Sequence, residues 1–321
     1  MRRTLALLAA TTLLVAMGAP AALAAPSRGQ APGANAAVIA HWTPARMAQA
    51  QWRDRSLPIA NAKPGGGGSS GAVTGASWTK GGAVVKGTGK VYFEMGGGAW
   101  ICSGTVITDG RSGYSVVLSA GHCTVDETTG EFATNWMFIP SFDTAPTYTC
   151  ASTTYGCWTA LSIVTPTKFA TAGGFTTTAT LNDWGFAVVG AGDRGTQLDA
   201  TVGSFTLTVG SASKGATAYA FGYPAGGKYH GSDLTYCAGA IVEDANAGNQ
   251  TWGLGCDMTG GSSGGPWFTS FNTATGSGVV SSLNSYGYSG SKFMYGPKFN
   301  SDTSATFAAA NTSTGGNKLV P

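Results

Sequence analysis

Charge is scarce in this sequence. Asp, Glu, Lys and Arg together make up 10% of its 321 residues, where about a quarter is usual. No basic stripe interleaved with aromatic residues is present, which argues against a nucleic-acid surface. No glycine-rich phosphate loop of the G-x-x-x-x-G-K type occurs, and no internal repeat is sustained. The six cysteines contain no C-x-x-C spacing, so a zinc site is not indicated. After the first residues there is no apolar run long enough to span a bilayer. Histidine is reduced to His41, His122 and His230, so any chemistry that needs an imidazole has very few candidates.

Hydrophobic residues reach 43% and glycine numbers 50. That supplies a core, and the length allows one large or two small domains. Short β-like runs lie between turn residues from about residue 76 onward: Lys90–Phe93, Thr105–Thr108, Tyr114–Leu118, Gly185–Val189, Ser204–Val209, Ala218–Phe221 and Val279–Leu283. No long helical periodicity is visible in that region. An all-β, many-stranded barrel or sandwich is expected.

The N-terminus reads as an export signal over residues 1–24. Met1-Arg2-Arg3 is basic, Leu5–Met17 is nearly all apolar but too short to span, and Ala22-Leu23-Ala24 fits a small-residue cleavage site. An even cysteine count in an exported chain implies three disulfides, with 15 connectivities open to the sequence. Residues 25–75 are expected to form a propeptide and linker. Thr43-Pro44 is a helix start, Ala45–Arg53 carries helix formers, and Lys63–Gly71 is glycine-rich. Charges in 25–75 are five positive and one negative, net +4; from 76 on, 11 positive and 14 negative give net −3. Opposite signs favour docking of this segment on the body. The alternative for the same segment is a disordered tail.

Three stretches carry chemistry. Val116–Cys123 (VVLSAGHC) ends an apolar strand in Gly-His-Cys, where a disulfide would hold an imidazole at fixed geometry. Thr180–Val189 (TLNDWGFAVV) puts Asp183 at the head of an apolar strand, where a buried carboxylate needs a partner such as an imidazole N–H. Cys256–Phe268 (CDMTGGSSGGPWF) flanks two serines with glycines and runs straight into Pro-Trp-Phe, unlike a linker. Taken singly, a surface histidine and a strand-capping aspartate are the plain readings of the first two.

Together, SAGHC at 119–123, ND at 182–183 and GGSSGGP at 260–266 resemble the trypsin/chymotrypsin superfamily of serine endopeptidases, in the order His, Asp, Ser. The resemblance spans about residues 80–300. Gly222-Tyr223-Pro224 and the short lead into Asp183 are most similar to secreted bacterial glutamyl-endopeptidase-like enzymes. It implies two antiparallel six-stranded β-barrels, residues 76–190 and 191–321, with the active site in the cleft between them. It implies Ser263 as nucleophile, His122 as general base and Asp183 as its orienting partner. The N–H groups of Gly261 and Ser263 would form the oxyanion hole. Ser281, with Ser282 as the register alternative, would hold substrate backbone. Cys102–Cys123 is carried by the resemblance; Cys150–Cys157 follows from proximity, which leaves Cys237–Cys256.

Two departures matter. Digestive members carry Asp directly before the nucleophile, and here Ser262 stands there, so activation by that ion pair is not expected. Asp257 has the spacing of a trypsin pocket carboxylate, but the flanking cysteine pattern differs, and Asp also occurs here in glutamyl-type chains. It is carried forward as substrate-binding with the preferred residue left open. His230 sits in a turn-like stretch and reads as a surface histidine. No metal or cofactor is required, the partners are a protein or peptide substrate and the chain's own propeptide, and a monomer without nucleic-acid or membrane contact is expected. The rivals are a catalytically silent secreted binding protein on the same fold and an α/β-hydrolase. The latter needs the order Ser, Asp, His.

Overall fold

The computed structural model describes residues 32–53, 55–58, 72–144 and 148–321. The export signal and the glycine-rich linker lie outside the described residues. No helix among the described residues is long and apolar enough to cross a membrane.

Six antiparallel strands close a barrel in the first half. Thr88–Met95 pairs with Gly98–Ile107, then come Ser115–Ser119, Gly185–Val189, Trp158–Pro166 and Thr134–Pro140, which pairs back to Thr88–Met95. The first hairpin turns on Gly96 and Gly97, both at positive φ (57° and 78°), opposite the Met95–Gly98 pair. A two-residue turn of that type needs left-handed backbone at both positions, which glycine adopts without strain. Ser115–Ser119 and Gly185–Val189 are buried along their whole length, so their near-continuous apolar runs are explained by a face inside the barrel and a face under other elements.

The second half is built from a five-stranded sheet, in the order Ser277–Leu283, Pro266–Asn272, Thr217–Gly222, Thr235–Ala240, Val73–Ser77, and a three-stranded one of Val242–Glu243, Thr251–Gly255 and Phe293–Pro297. Its core includes Ala218, Ala220, Trp252, Leu254, Trp267 and Met294, with the Cys237–Cys256 bridge inside it. Val73–Ser77 lies across the 75/76 line and pairs antiparallel with Thr235–Ala240.

Two expectations change. Ser204–Val209 is not a strand of either half but the seam between them. Phe205 N–H donates to Val106 O and Phe205 O accepts from Thr108 N–H, whereas Thr208 N–H already donates to Val280 O. Its pairing switches from one half to the other within three residues, so it makes only single bridges. A twelve-residue helix, Ser301–Thr312, was also not foreseen. Its N-terminus is held by a capping box in which Asn300 Oδ1 accepts from Asp302 and Thr303 N–H, and Thr303 Oγ1 accepts from Asn300 N–H. It packs back on the first barrel through Phe307 against Phe186 and Thr306 beneath Trp184. Its buried face is mostly Thr and Ala, which leaves almost no apolar periodicity to read.

The described N-terminal residues fold onto the body. Helix Pro32–His41 is followed by helix Pro44–Gln49, with Thr43 as N-cap accepting from Arg46 N–H. Trp42 is buried, its indole N–H donating to Asn135 O at 2.6 Å, and Met47 is buried beside the first barrel. The second helix stops at Gln49 rather than running to Arg53. Gln51–Trp52 goes extended instead and pairs with Trp100–Ile101, a long-range contact that outweighs local helix propensity.

Candidate active site

His122 sits in a single 3₁₀ turn, Gly121–Cys123, at the end of the Ser115–Ser119 strand. Cys123 is bridged to Cys102 in the neighbouring Gly98–Ile107 strand, so the turn is stapled to the barrel wall. Asp183 lies just ahead of the Gly185–Val189 strand, which pairs with Ser115–Ser119 and brings the two ends level. Both side chains are fully buried. Asp183 accepts from the His122 ring at Nδ1 (2.8 Å, Oδ2) and from His122 backbone N–H (2.8 Å, Oδ1). The second bond fixes the turn relative to the carboxylate, and the first leaves Nε2 as the free ring nitrogen. Nε2 is buried and has no hydrogen-bond partner among the described residues.

A third donor to Asp183 comes from the other half of the molecule. Ser285 Oγ donates to Oδ2 at 2.5 Å. Ser281, the expected neighbour of the site, sits four residues earlier within Ser277–Leu283, and its hydroxyl donates to Trp267 O. Ser282 Oγ donates to Pro297 O. The structure therefore brings Ser285 to the carboxylate and leaves Ser281 and Ser282 in the sheet.

Ser263 is on a tight turn wedged between the halves. Ser263 O accepts from Ser103 N–H, Gly264 N–H donates to Asn284 O, and the Asn284 amide donates to Phe221 O and Ser262 O. Gly264 has φ +82°. A Cβ there would stand 2.2 Å from Ser119 Oγ and 2.6 Å from Ala120 N. That contact sets the turn directly against the chain entering the His122 turn, and no larger residue fits. Gly222 meets Ser262 in the same way, its Cβ position 2.9 Å from that of Ser262, which explains the glycine of the GYP stretch. Ser262 Oγ donates to Thr259 O. The N–H groups of Gly261 and Ser263 take no part in backbone hydrogen bonds among the described residues.

Comparison with known proteins narrows the identity. A scan of family models and a search of curated proteins both find no match. Solved structures do match. The protease Anisep from Arthrobacter nicotinovorans is 35% identical, with 75% of this chain and 100% of that one covered, at TM-score 0.63. This chain belongs to the chymotrypsin-like serine proteases. A thermostable serine protease, AL20, from an extremophilic microorganism is 32% identical over 72% of this chain and 100% of its own, with TM-score 0.61. A Glu endopeptidase solved with MPD shares the fold at 17% identity and TM-score 0.52, covering 81% of this chain and 98% of its own. At that identity it speaks to fold alone.

Beside Ser263 this chymotrypsin-like chain has a cavity of about 350 Å³ whose lining includes Met258, Tyr286, Tyr288, Ser289 and Phe293. Asp257 also borders it. Its carboxylate is already engaged, by Lys228 Nζ at 2.8 Å on Oδ2 and by the Tyr229 hydroxyl on Oδ1. Partial burial, then the hydrogen bond to Asp257, pushes the Tyr229 phenol up to about 12, so it stays a donor. His230 is exposed in the adjacent loop. All three disulfides form as expected: Cys102–Cys123, Cys150–Cys157 and Cys237–Cys256.

Residue patterns alone gave no sign of Asp244. Its carboxylate is buried under the cleft wall and accepts from Tyr286 OH at 2.6 Å and Tyr288 OH at 2.8 Å. A third contact, from Thr251 Oγ1, is 3.4 Å long. In the sequence it is one of two adjacent acids, Glu243-Asp244, ahead of a turn, and the tyrosines it holds are more than forty residues away.

Proposed function

We propose that the chain is a secreted serine endopeptidase, made as a preproprotein, that cleaves peptide bonds through an acyl-enzyme on Ser263. His122 Nε2 takes the Ser263 hydroxyl proton as Oγ attacks the scissile carbonyl, and returns it to the leaving amine. Asp183 holds the imidazole in the Nδ1–H tautomer and faces the charge that develops on the ring. The Gly261 and Ser263 N–H groups receive the developing oxyanion. Water then attacks the ester, with His122 again accepting a proton, and the acid product leaves Ser263 restored.

The observation that carries this reading is the buried His122–Asp183 pair together with the glycine-clamped Ser263 turn packed against Ser119 and Ala120, the residues that lead into the His122 turn; no hydrogen bond joins His122 Nε2 to Ser263 in this state. Three disulfides suit an oxidising, extracellular compartment. Ser262 has no charge to offer a new N-terminus, so activation would proceed by removal of the leader from the cleft. The test is fluorophosphonate treatment of the folded, leader-cleaved protein, followed by mapping of the adduct. Labelling at Ser263 that disappears in His122→Ala supports the endopeptidase. Absence of any adduct supports a silent binding protein on this fold.

A further inference from the structure

Residues Arg53 and Arg55 of the leader reach two carboxylates that follow the His122 turn directly. Arg53 Nη2 lies 3.1 Å from Asp126 Oδ2 and 3.6 Å from Glu127 Oε2, and Arg55 Nη2 lies 2.6 Å from Glu127 Oε1. Arg53 Nη1 also donates to His122 O at 2.8 Å and to Met95 Sδ. The two guanidinium groups lie over aromatic rings: Arg53 over Trp100 and Arg55 over Phe175, the ring that meets His122 edge-on. The Glu127 side chain is 3% exposed. A carboxylate that deep carries a large desolvation penalty unless a cation accompanies it.

On either side of these anchors the leader lies along the cleft. Trp52 packs on Gly260, at the start of the Ser263 turn. Ser56–Leu57 then pairs in parallel with Gly287–Tyr288, two residues beyond Ser285. Gly287 N–H donates to Arg55 O at 3.0 Å. The Arg55 carbonyl is thus bound to the cleft wall and is not turned to the Gly261 and Ser263 N–H groups.

We propose that Asp126 and Glu127 form a subsite for arginine side chains beside the His122 turn, and that the chain's own Arg53 and Arg55 fill it, with Ser56–Leu57 paired alongside, to hold the cleft shut without presenting a bond for cleavage. The inference rests on the endopeptidase reading for its consequence, but not for its geometry. Once the leader is gone, the same acidic pair is vacant next to the reaction centre. It then favours peptides carrying arginine at the position that reaches it, independently of the pocket beside Asp257.

The test uses the full chain. Two variants attack the contact from opposite sides: Arg53→Ala with Arg55→Ala, and the isosteric Asp126→Asn with Glu127→Gln. Fluorophosphonate labelling at Ser263 is timed in the wild type, in both variants and in a nicked wild type, cut within residues 59–71 and freed of the released N-terminal piece. Breaking these ion pairs, largely buried at Glu127, should weaken the closed form by about 30-fold, so each variant labels faster than wild type and approaches the nicked chain. Combining all four changes should add little to either pair, because both remove the same interaction. Rapid labelling of the nicked chain with both variants as slow as wild type overturns the proposal. Hydrogen-exchange protection of residues 51–53 and 55–57 is read in parallel. Its loss in both variants supports the clamp, and its retention sinks it, even if Ser263 labels in no form and the endopeptidase reading itself fails.

Discussion

Replacing Asp244 by Asn tests whether a buried charge behind the cleft wall positions the segment that faces substrate. Asp244 is nearly fully buried, and its Oδ2 accepts the hydroxyls of Tyr286 and Tyr288. Its Oδ1 accepts Asn246 N–H at 2.9 Å, closing the local turn. Burial, then the Asp244 acceptor, holds both phenols well above their ordinary value, so they remain donors across the working range. Asparagine keeps the shape and one acceptor oxygen but loses the charge. A hydrogen bond to an ionised group contributes roughly 1.5–3 kcal/mol against about 1 for a neutral one. Two weakened phenol bonds therefore predict a loss of about 2 kcal/mol. For a chain of this size that is a fall in Tm of about 3 °C. Because Tyr286–Tyr288 line the cavity beside Ser263, KM for a peptide substrate should rise several-fold. The kcat should change little, since no group that handles the proton is touched. Urea unfolding gives the stability term, and steady-state kinetics of the leader-cleaved enzyme give the split. A normal KM with a lost Tm would make Asp244 structural only. A fall in kcat at constant KM would refute the positioning argument altogether.

Two further outcomes follow from charges at the cleft. Asp257 is paired with Lys228 and Tyr229, so a peptide-library profile should show no trypsin-like dominance of Arg or Lys before the scissile bond. Asp257→Asn should alter that profile less than tenfold; a strong basic preference abolished by the substitution would refute this. The leader clamp should also open in acid. Partial burial raises Asp126, but the Thr128 and Thr129 N–H donors and the Arg53 and Arg55 charges outweigh it, and the carboxyl lies below its ordinary value. A depressed folded-state value means the contribution is complete above the usual carboxylate value and is lost as pH falls through the lower, folded one. Residues 51–53 and 55–58, faced there by Asp126 and Glu127, should resist proteolysis at pH 5 and yield below about pH 4. Equal sensitivity at both values would contradict it.

The candidate residues of the site stand out in the sequence because each belongs to a contiguous stretch whose small residues have a steric reason. Gly264 can be nothing larger beside Ser119 and Ala120, and Gly222 meets Ser262. Such constraints stay visible along the chain as GHC, GYP and GGSSGGP. The closed first barrel is legible for a similar reason, since strands buried along their length read as apolar runs. The serine that reaches Asp183 is not legible. Ser281, Ser282 and Ser285 stand within five positions of one another, and only strand register and the departure of the chain after Leu283 decide which one arrives. The engagement of Asp257, the tyrosines gathered on Asp244 and the path of Arg53 and Arg55 are likewise contacts across 28, 42 and about 70 residues. Residue identity and local backbone sterics by themselves determine which groups can do the chemistry. Which of them meet, and which are already satisfied by a partner, is decided by packing between segments distant in the chain, because a buried charge takes whichever donor the fold brings to it.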